Sequence, residues 1–217
     1  MRWTLGAVLL IASGCAEASF FPGSGPRLPP NKASAPWADQ DKALQAVQHF
    51  ELRTAPLVSE RGGHLRVVLE TQDPKVNAEA RREERDWGII VYGGMLRHPR
   101  IGEAELTLVL CHELGHHLGG EPTAARGGWS ACEGQADYWS THGCFQRVRP
   151  GDDARAAALR LTELYATMSG GAFPSHEAKD ETVRARTWFG YPSPQCRLDT
   201  LLAGLAGRAR PRCWMGP

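Results

Sequence analysis

His112-Glu113-Leu114-Gly115-His116 places two imidazoles four residues apart with a carboxylate between them. On a helix, residues i and i+4 share a face, so His112 and His116 can converge on one ion while Glu113 sits beside that face. Neutral imidazoles of this kind suit Zn2+. Downstream lies Glu133-Gly134-Gln135-Ala136-Asp137. Glu133 could complete a two-His, one-Glu ligand set that leaves a fourth position for water. Asp137, one turn on, could accept the outer N–H of a ligand His and fix its tautomer. The chemistry this set would support is hydrolysis, with one Zn2+ ion as Lewis acid and Glu113 as general base. Two plainer readings compete: a pair of surface histidines, and a solvated acidic helix face. Against the second, Trp129, Ala131, Ala136, Tyr138 and Trp139 crowd the same stretch with apolar groups that need burial.

These residues need two helices in register. Residues 103 to 118 are apolar on most sides, begin with Glu103 and Glu105, and stop at Gly119-Gly120 before Pro122. Acidic residues suit the positive end of the helix dipole, and Gly followed by Pro ends a helix. A second helix is expected over 130–146, with others over 37–52, 153–168 and 196–206. Strands are expected over 64–70 and 87–92, where the latter runs into Gly93-Gly94. The charged stretch 76–86 reads as a helix. Helices outnumber strands, so the expected fold class is α+β and helix-dominated.

HELGH followed by EGQAD resembles the gluzincin zinc metallopeptidases, in the branch of CAAX prenyl proteases and their HtpX-type bacterial relatives. The similarity covers roughly residues 87–141. The related metzincin pattern is excluded, because its next His position holds Pro122. The resemblance implies a minimal zincin-like domain with a small sheet packed on the HExxH helix. It makes His112, His116 and Glu133 zinc ligands, Glu113 the catalytic base and Asp137 the partner of a ligand. It also implies a protein or peptide substrate, with the strand from Gly88 to Tyr92 pairing with extended peptide by analogy to thermolysin-type enzymes. This chain departs from the membrane-embedded members in lacking an apolar span of about 20 residues. It also carries Tyr191 where soluble relatives often have His. Tyr191 and His176 are therefore the two candidates for stabilising an oxyanion; the plainer reading of Tyr191 is a buried residue before a helix.

The remaining composition sets the context. The chain has 217 residues, a formal net charge of +1 and 42% hydrophobic residues, which suits one globular domain and excludes a polybasic nucleic-acid binder. Residues 1–18 read as a secretory signal with a lipobox-like Gly14-Cys15, making Cys15 a lipidation site; cleavage after Ala16-Glu17-Ala18 is the alternative. Residues 19–36, rich in Pro and Gly, read as an extended tether, and 37–217 as the catalytic domain. Membrane contact would come only through the lipid anchor, in the bacterial envelope. Six cysteines fit an oxidising compartment. Cys196 and Cys213 bracket the last helix and could pair; Cys111 with Cys144 is a further possibility, and Cys132 is left over. The functional alternative to a peptidase is a non-catalytic zinc-binding or chaperone-like envelope lipoprotein of the same fold.

Overall fold

The structure is a computed structural model that describes residues 18–23, 25–29, 40–125 and 127–217. The apolar stretch of the expected signal, Cys15 and residues 30–39 lie outside the described residues. The fold is α+β, with a small three-stranded sheet among helices.

Its spine is a helix over Glu103–Leu118, matching the expected span. A helix apolar on most sides belongs in a core, and every side chain from Glu105 to Leu118 is buried. The Glu105 carboxylate accepts from the Gly102 N–H at 2.9 Å and from the Arg160 guanidinium at 2.7 Å, closing the first turn.

One face of the spine meets the sheet. Strand β1 (His64–Glu70) runs parallel to β3 (Asp86–Tyr92), and β2 (Ala78–Glu83) pairs antiparallel to β3 on its other side. The order β1-β3-β2 corrects two expectations. First, residues 78–83 form a strand, not a helix. Ala78 and Ala80 alternate with charged residues and are buried, so a period of two overrides the helix propensity of Ala, Glu and Arg. Second, Gly88–Tyr92 is central and hydrogen-bonded on both sides, so it has no edge to offer a peptide. The edge strand beside the spine helix is β2.

The far side of β2 is covered by the described start of the expected tether. The Phe20 N–H donates to Ala78 O at 3.1 Å, and the Ala80 N–H donates to Ala18 O at 2.9 Å. Phe20 and Phe21 are buried in the main core. Burying each ring contributes on the order of 1.5–3 kcal/mol to seating the segment against the domain. Farther on, Leu28 O accepts two bonds from the Arg97 guanidinium. Within 19–36, the described residues therefore belong to the domain's surface and core and do not extend away from it.

In chain order the helices are α1 (Gln40–Ser59), α2 (Gly93–Arg97), α3 (the spine), α4 (Glu133–Trp139), α5 (Gln146–Val148), α6 (Ala154–Ser169) and α7 (Pro194–Leu205). Helix α1 runs past the expected end at 52 and contains Pro56. The expected helix 130–146 starts at Glu133 and passes through a π-helical turn at Ser140–Phe145. Asp153 caps α6 through two backbone N–H groups, and Ser193 caps α7 with Pro194 in its first turn. Two disulfides, Cys111–Cys144 and Cys196–Cys213, tie α3 to the π-helical turn and α7 to the C-terminal tail. Cys132 is buried and lies outside both. Two disulfides suit an oxidising, exported environment. Among the described residues, no helix is long and apolar enough to cross a membrane.

Helices α3 and α4 approach through Gly115, where an added Cβ would stand 2.8 Å from Ala136 O and 3.0 Å from Ala136 Cα. Backbone atoms cannot rotate out of the way. Gly115→Ala is expected to push α4 off α3 and cost about 1–3 kcal/mol. A drop in the thermal midpoint checks this, and an unchanged midpoint would contradict it.

Candidate metal centre

His112 and His116 project from one side of α3, and Glu133 opens α4 opposite them. Glu133 Oε2 lies 3.4 Å from His112 Nε2, and Oε1 lies 3.6 Å from His116 Nε2. One ligand atom from each of the three falls within 4.8 Å of the others. Both imidazole Nε2 atoms and both Glu133 oxygens are buried without a hydrogen-bond partner. Buried polar atoms are rarely left in that condition. Four of them aimed at one point, on two neutral-capable imidazoles and a carboxylate, form a donor set that could hold a divalent metal ion.

The other nitrogens settle which tautomer each ring adopts. His112 Nδ1 is 2.8 Å from Asp137 Oδ1, and His116 Nδ1 is 2.8 Å from the Ala131 carbonyl. An ionised carboxylate and a carbonyl only accept, so each Nδ1 must carry the proton and donate. In the neutral form of each ring, the Nε2 lone pair is then the one left for a cation. The neighbouring backbone is fixed by the Ala131 N–H donating to His116 O at 2.9 Å and by Gln135 Nε2 donating to Gly119 O at 2.7 Å.

Asp137 is itself held by Arg197. The guanidinium gives Nε to Oδ2 at 2.8 Å and Nη2 to Oδ1 at 2.7 Å, while Nη1 donates to Phe20 O at 2.8 Å. Its plane lies over the rings of Phe20 and Tyr165. Burial alone would lift the Asp137 carboxyl, but the Arg197 charge and the His112 bond outweigh it and bring its pKa down to about 2. Burial alone would lower His112, yet Asp137 and Glu133 raise it to about 9. His116 goes the other way: burial and the neighbouring His112 push it well below the usual imidazole range.

Glu113 completes the group. Both its oxygens are buried without a partner, and burial raises its pKa to about 8, with Glu133 adding to the rise. Burial also raises Glu133. Three carboxylates thus share a buried space with one guanidinium. A cation on the Nε2–Glu133 side could offset the charge these groups carry when ionised, and the converging Nε2 and Glu133 oxygens are where it could sit.

The residues expected at the site separate clearly. His112, Glu113, His116, Glu133 and Asp137 come together. The Tyr191 hydroxyl donates to Ser19 O at 2.8 Å and stands 3.0 Å from Ser19 Oγ. Burial, with the charges of Glu133 and Glu113, pushes its pKa upward and keeps it a neutral phenol. His176 is not brought to the group. It lines a separate cavity of about 470 Å³ with Arg155, Lys179 and Asp199, so its expected role in oxyanion stabilisation is not supported. Cys15 lies outside the described residues. Arg197 and Phe20 received no role from the sequence reading, since neither belongs to a spaced motif; the pairing of Arg197 with Asp137 crosses 60 residues. His117, beside the second ligand, is stacked between Trp87 and Trp129 and bonded to Gly88 O.

No family model, curated protein or solved structure matches this chain.

Arg197→Leu should strand Asp137 as a buried charge and destabilise the fold by about 3–5 kcal/mol. Arg197→Lys should recover only part of this, because an ammonium cannot make the bidentate pair. Denaturant unfolding of the three proteins measures both differences; a Leu variant as stable as wild type would refute the assignment.

Proposed function

We propose that the protein is a zinc-dependent metallopeptidase of the bacterial cell envelope, anchored through a lipid on Cys15. The observation that carries the reading is Glu113: a carboxylate buried without a partner beside two histidines and a glutamate whose ligand atoms converge. A purely structural metal site has no use for such a group, whereas hydrolysis needs a base. The two disulfides favour an exported location.

His112, His116 and Glu133 would hold the ion. Bound there, Zn2+ would act as a Lewis acid and make water nucleophilic near neutral pH. Glu113, whose two oxygens are buried without a partner beside the ligand atoms, would take a proton from the attacking water and return it to the leaving amine. Asp137 holds the His112 ring in place through Nδ1–H, and the Ala131 carbonyl does the same for His116. Arg197 favours the ionised form of Asp137, which in turn favours the His112 proton on Nδ1.

Purified protein should contain one zinc per chain, and His116→Ala and Glu133→Ala should each lose it, as read by elemental analysis. Chelation should lower the thermal midpoint, because an ion bound only by the folded state stabilises it. Glu113→Gln should keep the zinc and lose about 10²–10⁴-fold in hydrolysis of a quenched peptide. Full metal content with no hydrolysis by either protein, with residues 18–23 in place or cleaved off, would favour the non-catalytic zinc-binding alternative. Unchanged hydrolysis in Glu113→Gln would remove Glu113 as the base.

A further inference from the structure

We propose that the outer edge of β2 is a binding edge for an extended peptide carrying a large aromatic residue, and that Ala18–Phe21 occupies it as a built-in stand-in for that peptide. That the peptide is a substrate rests on the metallopeptidase reading; that it binds does not.

The edge is defined by what pairs with it. Ala78 O and Ala80 N–H, on the side of β2 away from β3, bond to Phe20 N–H and Ala18 O, so Ser19 sits opposite Glu79 as in an antiparallel strand. Adding a strand to a sheet edge is a general way to bind peptide, with main-chain bonds giving affinity and pockets choosing side chains. The same residues also cross the metal centre. The Phe20 ring meets His112 edge-on with centroids 4.9 Å apart, and its carbonyl accepts from Arg197. Ser19 O accepts from Tyr191 at 2.8 Å, and Asn77 bonds both the N–H and the carbonyl of Phe21. Nearly all these polar contacts are to main-chain atoms, so any extended chain could make them. Selection falls to the Phe20 slot, formed by His112 and the Arg197 guanidinium.

Two features separate this from ordinary core packing. A cleft of about 450 Å³, lined by Glu79, Ala80, Arg81 and Trp129, continues along β2 beyond Ala18, which leaves room for a longer peptide. In addition, His112, Glu113, His116 and Glu133 are at most 1% exposed while the segment is in place. A peptide bond can reach Glu113 only if the segment gives way. The segment ends at an exposed turn, Pro22-Gly23, where Gly23 has φ +65° and nothing near its Cβ position.

The test uses the full chain with a site-specific protease sequence inserted after Gly23, in a Glu113→Gln background so that binding is read without turnover. After cleavage, the N-terminal fragment should leave on dilution, and the remainder should keep its circular dichroism. A labelled peptide of sequence ASFFPG should then bind, by fluorescence anisotropy, at least tenfold more tightly than a version carrying Phe20→Asp. The uncut chain should bind neither. Unfolding on loss of the fragment, or equal binding of the two peptides, would overturn the proposal. As a second measurement on the intact chain, Phe20→Ala should raise ASFFPG binding at least tenfold over the uncut parent; no increase would count against it. Peptide binding combined with no hydrolysis in the Glu113-intact cut protein would leave this inference standing and sink the peptidase reading. Hydrolysis that neither cleavage nor ASFFPG alters would do the reverse.

Discussion

The buried pair between Arg197 and Asp137 is the constraint on which the rest of the centre turns. It is a bidentate contact with almost no solvent, and the guanidinium favours the ionised form of Asp137. An ionised Asp137 forces the proton of His112 onto Nδ1 and its lone pair onto Nε2. The direction of that lone pair places the ion-binding point between α3 and α4. Helix packing through Gly115 then sets how close Glu133 comes. The chain of dependence runs from a charge pair, through a ring tautomer, to a set of ligand atoms, and each link is local.

How much of this was legible in the sequence depends on the range of the contacts. His112, Glu113 and His116 sit on one helix whose apolar character predicts its burial, so spacing alone places them. Glu133 and Asp137 follow from the same logic on the next helix. Residues 78–83 misled, because Ala, Glu and Arg favour helix and only the sheet beside them, through its pairing with β3, imposes the other period. Arg197 could not be assigned, since its partner lies 60 residues away and no short pattern announces a buried guanidinium. The Phe20-Phe21 pair was visible as two aromatic residues in a Pro-rich stretch, yet composition outvoted them. A pair of large rings is enough to convert a spacer into part of a core.

The metal-centre geometry and the sheet topology also explain each other. A three-stranded sheet with β3 in the middle has two edges, and the one beside α3 is β2. Whatever lies along that edge also lies against His112. Placing α3 under the edge strand would therefore join main-chain recognition and metal chemistry in one groove, without any loop having to be shaped for the purpose.

The two disulfides have a consequence for how the protein matures. Cys111 immediately precedes His112, and Cys196 immediately precedes Arg197. Each cross-link is thus one residue away from a group that sets the ligand geometry. Thiol chemistry thus fixes the backbone beside groups at which a metal ion could be held. A chain kept reduced would present the same candidate ligands on less constrained backbone.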